Sequence, residues 1–185
     1  MDKNPERLEI LKQADSLYAT AKLSEALELY EQALAVEENA WAHSRAGAIL
    51  AQLGDYASAE THLLRAIELD PRLPQAHSNL GNLYYARGDY EGALAKYKTA
   101  VELDEANPTF HENLHAAYKR LGRLDQAVAS LKQAHKLSRS LSKEKAKEEL
   151  STMRSQFARG KGCLPFSVLT IAALTLALLL LTGLL

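Results

Sequence analysis

The sequence predicts an all-α solenoid of stacked two-helix units, and three observations carry that prediction. Gly54, Gly88 and Gly122 recur every 34 residues; Ala59, Ala93 and Ala127 follow them in step, as do Ala66, Ala100 and Ala134, and Ala26 and Ala33 continue both alanine columns one step back. Between these markers the apolar residues keep helical spacing, with Leu80, Leu83 and Tyr84 in one helix and Ala93, Leu94, Tyr97, Ala100 and Val101 in the next. The prolines, Pro5, Pro71, Pro74, Pro108 and Pro165, all fall at the edges of units, where a missing amide hydrogen costs nothing. A period of this length means that no unit buries its apolar face alone and that stacking supplies the core.

In chain order, residues 1–6 form a short N-terminal extension, and four repeats follow at 7–39, 40–73, 74–107 and 108–139, the first one residue short. The third is the clearest. Its helices are expected over Gln75 to Arg87 and Tyr90 to Leu103, with Gly88 and Asp89 between them. Asp55 and Asp89 sit where a side-chain oxygen can cap the second helix of a unit. Gly47 and Gly81 are small where two helices must approach closely. Residues 140–162 read as a capping helix and basic juxtamembrane linker, because Ala146, Leu150, Met153 and Phe157 make one stripe that suits covering the last repeat.

These residues resemble the tetratricopeptide repeat (TPR), whose small residue, glycine turn, paired alanines and closing proline are matched by Gly81, Gly88, Ala93, Ala100 and Pro71. The resemblance covers about residues 7–139. It departs from the pattern at His43, His77 and His111, where an aromatic is usual, and at His115, which replaces a small residue and suggests looser packing of the last unit. The resemblance implies that the first helices line a concave groove for a protein or peptide partner. The matching positions include Trp41, Arg45, Asn79, Asn82, Tyr85, Asn113, Lys119 and Arg120. It also tests one subfamily, the chaperone-binding relatives with a two-lysine carboxylate clamp. Those places hold Leu11, Asp15, Arg45, Gln75 and Asn79, or Ser44, Ala48, Asn79, Thr109 and Asn113, and neither set supplies the lysines.

Composition narrows the classes. A net charge of −1 argues against a nucleic-acid partner. The charge is uneven: residues 140–162 carry an excess of +3 and residues 1–139 an excess of −4, while residues 163–185 carry none. The start, MDKNPERLEI, has no apolar core, so no signal peptide is expected in it, and the single cysteine, Cys163, cannot form an internal disulfide. Phe166 to Leu185 is uniformly apolar and, as a helix, would span ~30 Å, the thickness of a bilayer's hydrocarbon core. It is read as a single transmembrane helix, with Arg154, Arg159 and Lys161 leaving the repeats on the cytosolic side. In outline this resembles a tail-anchored protein. For a eukaryotic chain the resemblance favours the endoplasmic reticulum over the mitochondrial outer membrane, and for a bacterial one the span would lie in the plasma membrane.

One motif points elsewhere. His111-Glu112-Asn113-Leu114-His115 matches H-E-x-x-H, in which two histidines on one helical face hold zinc and the glutamate serves as base, and His135 on the partner helix is the candidate third ligand. The repeat register already accounts for His111, in a column with His43 and His77, and a metal there would lie inside a helix contact with no cleft. The expected protein is a non-enzymatic, membrane-anchored adaptor with no cofactor. A zinc metallopeptidase and a self-assembling scaffold are the alternatives.

Overall fold

The computed structural model describes residues 5–158, with side chains to residue 155, and among these it forms eight helices and no strand. They are α1 (Pro5–Ala19), α2 (Leu23–Val36), α3 (Ala40–Leu53), α4 (Tyr56–Leu69), α5 (Pro74–Ala86), α6 (Tyr90–Leu103), α7 (Pro108–Arg120) and α8 (Leu124–Ala158). Each odd helix opens a repeat and packs on the even helix that follows it or precedes it, and α5 also touches both α3 and α7, so the first helices of successive repeats share a face.

The turns explain the period. Gly54, Gly88 and Gly122 take φ of +89°, +84° and +72°, the left-handed region in which a residue with a Cβ is strained. In each turn the next amide donates back to the carbonyl five residues earlier: Asp55 to Leu50, Asp89 to Tyr84 and Arg123 to Tyr118, at 2.9 to 3.0 Å. The first repeat makes the same bond, Lys22 to Leu17 at 3.0 Å, but places Ala21 at φ +58° where the others have glycine. Its turn geometry persists without the glycine that marks it elsewhere in the sequence. Asp55 and Asp89 cap α4 and α6 as expected, accepting from the amides of Ser58 at 3.1 Å and Gly92 at 2.9 Å.

The alanine columns form the seam within each pair. Ala26, Ala59, Ala93 and Ala127 are buried, as are Ala33, Ala66, Ala100 and Ala134. Gly47 and Gly81 lie opposite the large residues of the partner helix: a Cβ built on Gly47 would stand 2.7 Å from Leu63 Cγ, and one on Gly81 would stand 2.6 Å from Tyr97 Cε1. His115 fills the same register in the last repeat, where its Nδ1 donates to the carbonyl of Ala127 at 2.9 Å. There the substitution adds a bond between helices.

One expectation changes. Residues 124–158 contain neither proline nor glycine, so nothing stops the last repeat's second helix near Arg139, and α8 runs unbroken for 35 residues. Of the separate capping helix expected within 140–162, residues 140–158 are instead a continuation of α8, whose stripe residues Ala146, Leu150 and Met153 are exposed. Phe166 to Leu185 lies outside the described residues. Within them no helix is long and apolar enough to cross a membrane.

Candidate partner-binding surface on the first helices

The face shared by α1, α3, α5 and α7 is built from side chains held by the repeat packing beneath them. On α3 the Arg45 guanidinium lies between two rings, 4.3 Å from the centroid of Trp41 and 4.7 Å from that of Tyr18 on α1. Its Nε stands 3.8 Å from Asp15 Oδ1, the same oxygen that accepts from the Tyr30 hydroxyl of α2. Burial, with Asp15 second, pushes the Tyr30 hydroxyl well above the ordinary tyrosine value, so it remains a donor and fixes Asp15 under the arginine.

A pocket of about 210 Å³ opens beside this cluster, lined by Tyr18, Ala48, Ala51, Gln52, Asn79, Asn82 and Ala86. Asn82 is exposed, and its Oδ1 accepts from the Tyr97 hydroxyl at 2.8 Å. Asn79 is tied inward instead: its amide nitrogen donates to Ser44 Oγ at 3.1 Å and to the Ser44 carbonyl at 3.3 Å. One repeat on, Asn113 donates to Ser78 Oγ at 3.0 Å. These two asparagines join each first helix to the one before it, so part of their hydrogen-bonding capacity is structural. Tyr85 meets Tyr90 edge to face with centroids 5.2 Å apart, and the Arg120 guanidinium also lies on Tyr90, 5.1 Å from its centroid.

The structure thus gathers Trp41, Arg45, Asn79 and Asn82 around Tyr18, and it links Tyr85 to Arg120 through Tyr90. Asn113 sits one repeat further along, and Lys119 is exposed at the end of α7. Sequence reasoning missed Gln52, Ala51, Ala86 and Tyr90. Stepping one helical turn beyond Ala48 and Asn82, to Gln52 and Ala86, would have found two of them.

The H-E-x-x-H motif resolves differently. His111 Nε2 donates to the carbonyl of Glu105 at 3.0 Å, and His77 does the same to Pro71 at 2.9 Å, each reaching six residues back to fasten the loop before its helix. His115 spends its Nδ1 on Ala127, and His135 is exposed. Among the described residues no group of three or more His, Cys, Asp or Glu side chains is placed to hold a metal, so His111, His115 and His135 do not assemble the zinc site that the motif suggests.

A TPR repeat model matches residues 47–86 and 81–122, and a tetratricopeptide repeat model matches residues 116–141. No curated protein matches the chain. Among solved structures, a crystal structure of MamA is similar at 21% identity, covering 74% of this chain and 81% of that one with a TM-score of 0.63. TTC0263, a thermophilic TPR protein of Thermus thermophilus, is similar at 26% identity over 71% of this chain and 74% of its own, with a TM-score of 0.66. A MamA fragment from Desulfovibrio magneticus RS-1 gives 21% identity, 72% and 76% coverage and a TM-score of 0.62. With the period, the left-handed turns and the alanine seam all in register, and with residues 47–141 matched, the chain belongs to the tetratricopeptide repeat family.

Proposed function

We propose that the protein is an interaction scaffold that holds an extended segment of a protein partner against the shared face of α1, α3, α5 and α7. The observation that carries this reading is the stack of Trp41, Arg45 and Tyr18 beside a pocket on that face that Tyr18, Gln52 and Asn82 help to line. Aromatic rings supply contact area at low entropic cost, and the amides of Gln52 and Asn82 can pair with both N–H and C=O of a peptide backbone. Crosslinking pull-downs test it. Trp41→Ala with Asn82→Ala should abolish capture of a partner that wild type retains, whereas exchanging the exposed α4 residue Glu68→Gln should not; equal capture by both would reject the surface.

Self-assembly by end-to-end stacking is the second reading, and the ends bear on it. On α7, Phe110, Leu114 and Ala117 are buried, but the same registers of α1 hold exposed Glu9, Gln13 and Ser16. A polar α1 face is a poor continuation for another copy's final helix, which favours the scaffold reading.

The reading extends to the tail. Its apolar run and the basic residues before it support a membrane span with cytosolic repeats, so that tethering raises the local concentration of the binding face. Deleting residues 163–185 should move the protein from the membrane pellet to the soluble fraction. Retention of the shortened chain in the pellet after an alkaline carbonate wash would reject the tail as sole anchor.

A further inference from the structure

The histidine column breaks in the second repeat. His77 and His111 each fasten a loop carbonyl, but the equivalent His43 turns across to α4, where its Nδ1 lies 3.1 Å from Nδ1 of His62. The rings are 5.1 Å apart and tilted by 48°. The next repeat has Lys96 in place of His62, so the pair occurs once.

We propose that His43 and His62 form a two-nitrogen site for a borderline divalent transition ion such as zinc, nickel or copper. Two ligands each ~2.0 to 2.1 Å from a tetrahedral zinc stand roughly 3.3 Å apart, so these nitrogens need a shift of only a few tenths of an ångström to share one ion. Imidazole suits these metals over magnesium or calcium. The surroundings select the required tautomer. His43 Nε2 is buried without a hydrogen-bond partner, and the Glu38 carboxylate stands 4.0 Å from it. A proton on Nε2 faces that carboxylate favourably and leaves Nδ1 with its lone pair aimed at His62, the carboxylate–histidine–metal order found behind metal ligands.

His62 then coordinates through Nδ1 by moving its own proton to Nε2, so no net proton is released. Burial lowers the affinity of both rings for an extra proton, which keeps them in the neutral form that coordinates. Arg65 faces the pair, but its charge is engaged by Glu38 and Glu68, and Glu31 acts on His62 in the opposite sense. A cavity of about 350 Å³, lined by His43, Thr61, His62, Leu64, Arg65 and Glu68, leaves room for water on the remaining coordination positions. With two protein ligands the site is open, unlike a four-ligand structural zinc, and it clamps α3 to α4.

The test uses the full chain in detergent micelles, without a polyhistidine tag, titrated with zinc and with nickel by calorimetry. Wild type should take one ion per chain, with a Tm that rises with metal concentration. Either His43→Gln or His62→Gln should weaken binding at least tenfold and remove the Tm rise, while His115→Gln leaves both intact. Circular dichroism of each variant checks that its helices persist, and the half-exposed His62 position carries the test if His43→Gln perturbs folding. Absence of binding below millimolar metal, or equal affinity in wild type and in His62→Gln, overturns the site. Loss of binding in His115→Gln alone overturns it too.

Discussion

Replacing Gly81 with leucine is expected to lower the stability of the repeat domain by ~3 kcal/mol or more, the upper part of the range for overpacked cores. The first added carbon alone would stand 2.6 and 2.7 Å from Cε1 and Cδ1 of Tyr97 and 3.3 Å from the Ala93 carbonyl. Tyr97 cannot swing clear. Its ring is buried and its hydroxyl is held by Asn82. Leucine's better helix propensity returns less than ~1 kcal/mol, so sterics decide the sign. In a repeat array each unit is stabilised through its neighbours, and Gly81 belongs to an inner one. Urea unfolding of residues 1–158 would read the loss; a midpoint within experimental error of wild type would refute the close approach of α5 and α6.

Tyr30→Ala should cost a similar ~3 to 5 kcal/mol by the same assay, for the opposite reason. Tyr30 is fully buried between α1 and the second repeat, and its removal leaves a cavity that alanine cannot fill. It also strips the donor from Asp15, which sits under Arg45. Tyr30→Phe separates the two effects, since it removes only the hydroxyl and should cost about 1 kcal/mol. The hydroxyl keeps its proton in the fold at pH values where an unfolded tyrosine has lost it. Its contribution is therefore complete below about pH 10 and declines as pH rises beyond that, so Tyr30→Phe should converge on wild type only in strong alkali. A Tyr30→Ala loss no larger than that of Tyr30→Phe would show that the ring is not the packing element it is taken to be.

Much of the fold was legible because repetition averages out local ambiguity. Gly54, Gly88 and Gly122 had to be turns in all units or none, and the alanine columns had to be seams for the same reason. The first repeat shows the limit: Ala21 takes the left-handed turn that glycine marks elsewhere, and only the neighbouring helices reveal it. The candidate face was half legible. Position in the repeat located Trp41, Arg45 and Asn82, but whether an exposed-register amide meets a partner or its own neighbour depends on the adjoining helix. Asn79 and Asn113 proved to reach Ser44 and Ser78. The H-E-x-x-H spacing describes one helix, whereas metal binding needs convergence from several, so the repeat register was the better guide to His111.

By itself the sequence determined the period, the two-helix unit, the seam of alanines and glycines, and an uncharged apolar tail, since each follows from residue size, backbone freedom or hydropathy along the chain. Only the tertiary structure decided that α8 continues to Ala158, that Arg45 lies between Trp41 and Tyr18, that His111 fastens a loop, and that His43 meets His62. The physical reason is the range of the forces. Helix and turn preferences act within about one turn of chain, while the stacking of a guanidinium or the approach of two imidazoles depends on side chains brought from different helices, whose directions no single stretch of sequence contains.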